Sequence, residues 1–203
     1  MPLAITVTFD KKVLEETQHI LRAIPRAFPR VMRRAINRTV DSAATDLKRR
    51  VSKEANAKAG KVSKGIGKKK ASFTNLSGSV SADFYRLGLT EFKGTRQTQR
   101  GVTYNIEYGG RQLFESGFIA TMDSGHRGAF AREENAAAST GRDKKGRTRK
   151  GRLPIYEAAG PSIWQVATNT PGLLKAVERT AQEKLVKQID DQIGVEFRRW
   201  EKR

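Results

Sequence analysis

Leu3, Ile5, Val7 and Phe9 alternate with Ala4, Thr6, Thr8 and Asp10, which is the period of a half-buried strand. Asp10 is placed to cap a short amphipathic helix carrying Val13, Leu14, Ile20, Leu21 and Ile24. Pro25 and Pro29 interrupt that helix, because proline lacks the N–H and clashes with the preceding turn. A longer helix is predicted over about residues 29–57. Its apolar positions Val31, Met32, Ala35, Ile36, Val40, Ala43, Ala44, Leu47 and Val51 recur at spacings of three and four. The alanines in this stripe allow close approach to a sheet or to another helix.

Residues 58–70 are basic and punctuated by glycine, and read as a short helix or turn followed by a loop. The pattern then changes to short extended runs over 72–82, 85–92, 102–108 and 117–122. Gly94, Gly101 and the pair Gly109-Gly110 separate them, so the middle of the chain is strand-rich. Residues 133–152 consist almost wholly of Ala, Ser, Thr, Gly, Lys and Arg, too little apolar surface to fold alone, and predict a flexible insertion loop. Two helices are expected after Pro161, the last over about 171–200. One face of it carries Leu174, Val177, Ala181, Leu185, Ile189, Ile193, Phe197 and Trp200. Phe197 and Trp200 are expected to dock on the protein's own sheet or on a neighbour. Together these elements predict an α+β fold in a single domain over 1–203. Long N-terminal and C-terminal helices pack on a strand-rich central sheet, and the long basic loop interrupts it.

Composition narrows the function. The chain has 203 residues, 37% of them hydrophobic, no cysteine, and 40 Lys+Arg against 21 Asp+Glu. No apolar run approaches the length of a membrane span, and residues 1–10 lack the form of a signal peptide. The expectation is a soluble protein made inside the cell. Without cysteine there is no disulfide scaffold and no thiolate metal site, and His19 and His126 lie too far apart for a short metal motif. No metal and no cofactor is therefore expected.

The positive charge is concentrated in two blocks. Residues 31–72 hold thirteen basic against three acidic residues, and residues 136–152 hold seven against one. Two blocks point to two contact surfaces. The first candidate surface comprises Lys48, Arg49, Arg50, Lys61, Lys64, Lys68, Lys69 and Lys70. The second is the loop set Arg142, Lys144, Lys145, Arg147, Arg149, Lys150 and Arg152. Between Lys61 and Lys70 no acid intervenes, so an external anion is expected to neutralise the cluster. Either a nucleic-acid backbone or an acidic protein surface would serve. Interleaved aromatics are missing, which disfavours stacking on single strands.

Catalytic readings fail. Gly141-Arg-Asp-Lys-Lys-Gly-Arg-Thr148 is one residue short of a phosphate-binding loop, yet no hydrophobic strand precedes it and no apolar helix follows. There is no nucleophile elbow. Glu133 and Glu134 are adjacent rather than opposed, and Glu115 and Asp123 show no spacing that acid–base work requires. His126 sits in a polar turn without an obvious partner in the sequence. The chain is read as a non-enzyme.

Several phrases, taken in order, resemble the phage minor tail protein Z family of tail-completion proteins. They are Ala35-Ile-Asn37-Arg38, Lys69-Lys-Ala-Ser72 and Thr95-Arg-Gln-Thr-Gln-Arg-Gly-Val102. Gly117-Phe118-Ile119-Ala-Thr-Met-Asp-Ser-Gly125-His126-Arg127-Gly128, Arg152-Leu-Pro154-Ile155 and Ala159-Gly160-Pro161-Ser162 follow. Two departures stand out: the family's Gly-Ala-Phe-Ile is shortened to Gly117-Phe118-Ile119, and the 133–151 insert is long. The resemblance implies a virion structural protein without catalysis, made in the host cytoplasm and completing the head-proximal end of the tail. It implies a homo-oligomeric ring at the neck, often sixfold, beside the tail terminator, tail tube and head–tail adaptor and near the phage DNA. A free-standing basic nucleic-acid-binding protein is the alternative that charge alone would support.

Overall fold

A computed structural model of the chain describes residues 3–7, 11–24, 26–106, 110–133 and 153–202. The expected cap at Asp10, the break at Pro25 and residues 134–152, with the whole second basic set, lie outside the described residues. In chain order the helices are α1 (Lys11–Ile20), α2 (Ala27–Glu54), α3 (Ala59–Lys64), α4 (Ile163–Asn169) and α5 (Leu173–Trp200). The first strands are β1 (Leu3–Val7), β2 (Ile66–Lys69), β3 (Gly78–Ala82), β4 (Arg86–Gly88), β5 (Arg96–Thr98) and β6 (Gly101–Tyr104). They are followed by β7 (Gln112–Glu115), β8 (Phe118–Thr121), β9 (Arg127–Arg132), β10 (Ile155–Glu157) and β11 (Ala159–Ser162).

The chain forms two compact units. One gathers Met1–Ser52, Ala59–Tyr85 and Ile163–Arg203, and the other gathers Lys53–Lys58 and Arg86–Ser162. In the first unit the α2 stripe behaves as its periodicity predicts. Val31, Met32, Ala35, Ile36, Val40, Leu47 and Val51 are all buried, each large side chain contributing about 1.5–3 kcal/mol. Pro29 falls in the first turn of α2, where a missing N–H costs no intrahelical bond. The helix packs against a three-stranded antiparallel sheet of order β1-β3-β2. Contact is close at Gly78, where a Cβ would lie 2.6 Å from Val40 Cγ2 and 2.7 Å from Ile36 Cγ2. Strand β2 corrects the loop expected to end the 58–70 stretch. Its Ile66, Gly67, Lys68 and Lys69 pair with Ala82, Ser81, Val80 and Ser79, so the ladder supplies what this lysine-rich segment lacks in strand propensity.

Helix α5 packs beside α2, with Lys184 Nζ donating to Ser42 Oγ at 2.6 Å, and also meets β1 and α4. Its buried stripe runs Leu173, Val177, Ala181, Leu185 and Ile189, then passes to Gln192 and Glu196. The apolar series expected to continue through Ile193, Phe197 and Trp200 does not: Ile193 and Phe197 are half-buried and Trp200 is 54% exposed. Trp200 therefore does not dock on the protein's own sheet.

Among the described residues the second unit holds no large sheet. Its strands form three small antiparallel sheets, β10-β9-β8, β5-β6-β7 and the pair β11-β4. The strand-rich middle is thus several short ladders rather than one central sheet. Phe92 is fully buried, and Leu89, Val102, Ala129 and Phe130 are buried in the same unit. Helix α2 ends three residues earlier than expected, and Asn56 turns the chain with φ +50°, a left-handed value that asparagine tolerates.

Candidate functional site

The first basic block lies in the first unit, on α2, α3 and the edge strand β2. The structure divides it by partner. On α2, Arg49 and Arg50 reach back to Asp46 at 2.7 and 2.8 Å, spacings of i+3 and i+4 that face one side of a helix. Asp46 is 95% removed from solvent; burial alone would raise its carboxyl, and hydrogen bonds from Arg50 and Arg49 outweigh this and lower it. Lys68 and Lys70 both reach Asp41, at 2.9 Å each. Those two hydrogen bonds, from Lys70 and then Lys68, hold the Asp41 carboxyl below its ordinary value.

The acid that the 61–70 stretch lacks in sequence is therefore supplied in space from α2. Alternation along β2 explains the choice. Lys68 stands opposite buried Val80 on the α2 side, whereas Lys69 stands opposite Ser79 on the other face. Lys61 and Lys64 are exposed on α3, which is anchored by buried Val62. Lys64 and Lys69 have no ion pair among the described residues. Lys48 is half-buried two turns beyond Asp41 on the same face of α2. Four of the eight cations are thus held on two carboxylates, Asp46 and Asp41.

The motif residues have a different role: they join segments. Asn37 Nδ2 donates to the Ala71 carbonyl at 3.2 Å while Asn37 Oδ1 accepts from the Ala71 N–H at 2.7 Å. One side chain on α2 thereby closes the chain after β2 as a neighbouring strand would, joining the first two phrases of the motif set. Arg38, next to it, reaches Gln188 Oε1 on α5 at 3.4 Å.

In the second unit Gln97 on β5 makes the equivalent tie. Its Nε2 donates to the Gly117 carbonyl at 3.1 Å and its Oε1 accepts from the Ile119 N–H at 2.7 Å. Phe118 between them stacks near Phe130, with ring centroids 6.2 Å apart. Gly125 has φ +81° and closes the β8–β9 hairpin, where Met122 N–H donates to the His126 carbonyl at 2.8 Å. Gly160 packs directly on the ring of Phe92. Pro154 accepts from the Glu133 N–H at 2.9 Å, and Pro161 sits within β11 where its register with β4 shifts.

His126 has the partner that its sequence surroundings did not suggest: Nε2 lies 2.8 Å from Glu157 Oε2, contributed by β10. The other Glu157 oxygen lies over Gly88 and Gly128, at 3.0 and 2.5 Å from where Cβ atoms would stand. Thr90 Oγ1 donates to the Arg127 carbonyl at 3.1 Å beside it. Arg86, Glu91 and Arg127 complete the lining of this recess of about 190 Å³. It offers a histidine–carboxylate pair, and the hydroxyl in its lining, Thr90 Oγ1, is engaged on the Arg127 carbonyl. Among the described residues no group of three or more His, Cys, Asp or Glu is placed to hold a metal. The pair ties the β8–β9 turn to β10.

A separate charged group went unnoticed in the sequence. Glu196 of α5, only 4% exposed, accepts from Arg34 at 2.7 Å and from Arg30 at 3.0 Å, with Arg199 at 3.6 Å. Burial alone would raise the Glu196 carboxyl. The hydrogen bond and charge of Arg30, with the charges of Arg34 and Arg199, reverse this and lower it. No spacing rule links residues 30 and 196, so the pairing could be read only from the packed helices.

Compared with known proteins, the chain matches the family model of prophage minor tail protein Z (GPZ) over residues 12–203. No curated protein matches it, and no solved structure matches it. Among the described residues no helix is long and apolar enough to cross a membrane.

Proposed function

The chain belongs to the prophage minor tail protein Z family, a family of tail structural proteins, and on that premise we propose that it completes the head-proximal end of a phage tail. In this reading it forms a homo-oligomeric ring at the neck, between the tail tube and terminator on one side and the head–tail adaptor on the other. The exposed part of its first basic block turns toward the DNA path. One observation supports it above the others. Asn37, Gln97, Gly125, His126 and Gly160 are each spent on holding segments together. The residues that carry the resemblance thus serve as a scaffold, as an assembly protein needs.

The basic block fits the same role. Lys64 and Lys69 are exposed, while Lys68 and Lys70 are held on Asp41. Such a surface takes phosphates through counterion release without reading sequence. An acidic face on a neighbouring ring is the competing partner for these lysines, and loss of DNA binding without loss of assembly distinguishes the two. For the loop 133–152 the proposal is a second contact with an adjacent ring. A free-standing nucleic-acid-binding protein has no support beyond the charge that both readings share. The location is tested by finding an epitope on this protein in intact particles.

A further inference from the structure

The end of the α2–α5 pair where α2 begins and α5 finishes is rich in arginine and unlike the lysine block. Arg30 and Arg34 occupy both oxygens of Glu196, and Arg199 adds a third guanidinium. Arg26, exposed with φ +57°, and Arg33 stand beside them with no carboxylate at ion-pair distance among the described residues. The Arg33 guanidinium lies 4.3 Å over the ring of Phe73. Its Nε is buried without a hydrogen-bond partner, so part of its desolvation cost is already met before any ligand arrives.

Two recesses adjoin at Arg30. One of about 390 Å³ is walled by Ile24, Arg199 and Trp200. The other, of about 460 Å³, is walled by Arg26, Pro29 and Phe73. Each is of a size that encloses a few side chains. Trp200 and Phe73 are 54% and 57% exposed, large aromatic surfaces left in water.

We propose that this surface docks an acidic segment of another protein, one that carries large apolar side chains between its carboxylates. Five arginines against one carboxylate call for further negative charge, and the guanidinium fork suits carboxylates in pairs. The aromatic walls separate this partner from a nucleic acid. Arginine with exposed tryptophan or phenylalanine is the composition of protein-interface anchors, whereas a duplex backbone offers no apolar group to cover Phe73 and Trp200. A second copy of this chain is a poor occupant of this patch, since its carboxylates Asp41, Asp46 and Glu196 are already held on its own lysines and arginines. The surface involves none of the lysines assigned to DNA, so the two proposals stand or fall separately.

The test is fluorescence anisotropy on the full chain with three labelled probes. They are a peptide of repeated Asp-Leu-Glu-Trp units, a polyglutamate peptide of equal charge, and duplex DNA. The mixed peptide is expected to bind about tenfold tighter than polyglutamate. The triple change Arg26→Gln, Phe73→Ala and Arg199→Gln should remove that advantage. It leaves Arg30 and Arg34 on Glu196, so the melting temperature should stay near wild type. Trp200→Ala alone should weaken the mixed peptide and leave polyglutamate unchanged. Equal binding of the two peptides, or unchanged affinity in the triple variant, overturns the proposal. So does a triple variant that loses duplex DNA binding instead, which would make this a nucleic-acid surface.

Discussion

Replacing Glu196 by glutamine removes one negative charge from among Arg30, Arg34 and Arg199 while keeping the shape of the side chain. The carboxylate is 4% exposed, with two hydrogen-bonded partners at 2.7 and 3.0 Å. Charged hydrogen bonds contribute about 1.5–3 kcal/mol each, and stripping one partner from a buried pair costs about 3–5 kcal/mol. The arginines are 30% and 33% exposed, so water takes over part of their stabilisation, and glutamine keeps one acceptor. The expected loss at neutral pH is therefore about 2–3 kcal/mol.

The pH dependence distinguishes charge from shape. The folded-state carboxyl of Glu196 is lowered, so its contribution is complete above the ordinary glutamate range and disappears as pH falls through the folded-state value. Asp41 and Asp46 shift in the same direction, so both proteins weaken in acid. The difference between them isolates Glu196. Urea unfolding of wild type and Glu196→Gln at about pH 7 and about pH 3 should show that difference shrinking toward zero in acid. A difference that is the same at both pH values would mean that packing, not charge, is responsible. No difference at neutral pH would refute the role of the cluster altogether.

Two other changes follow from the geometry. Asn37→Ala leaves both the N–H and the carbonyl of Ala71 without their partner, and should destabilise by about 1–3 kcal/mol in the same urea assay. Lys64→Gln with Lys69→Gln should shallow the log–log salt dependence of duplex DNA binding by about 0.9 per lost contact. In that measurement, run with wild type beside it, an unchanged slope would move the block to a protein partner.

Much of the fold was legible because burial and periodicity agree. Every apolar position expected on α2 is buried, since that helix meets both a sheet and another helix along one stripe. The strand at β1 was legible from its alternation, and the final helix from its apolar stripe as far as Ile189. Legibility failed where tertiary partners replace apolar burial. β2 reads as a basic loop because its stability comes from the ladder to β3 and from Asp41, 27 residues from Lys68. The buried stripe of α5 leaves its apolar series at Gln192 and Glu196 because arginines from α2 make a buried glutamate tolerable there. The basic residues of the candidate site were visible as a run, but their division between Asp46, Asp41 and solvent was not. Strands such as β5, β7 and β10 are three or four residues long and largely exposed, too short to show an alternation.

The most direct test of the account is the position of this protein in the particle. An epitope added at the N-terminus, detected with gold-conjugated antibody on purified phage by electron microscopy, should place the label at the junction of head and tail. Label at the distal tip or along the tube, or particles with complete head–tail joints and no label, would contradict the assignment to the head-proximal end.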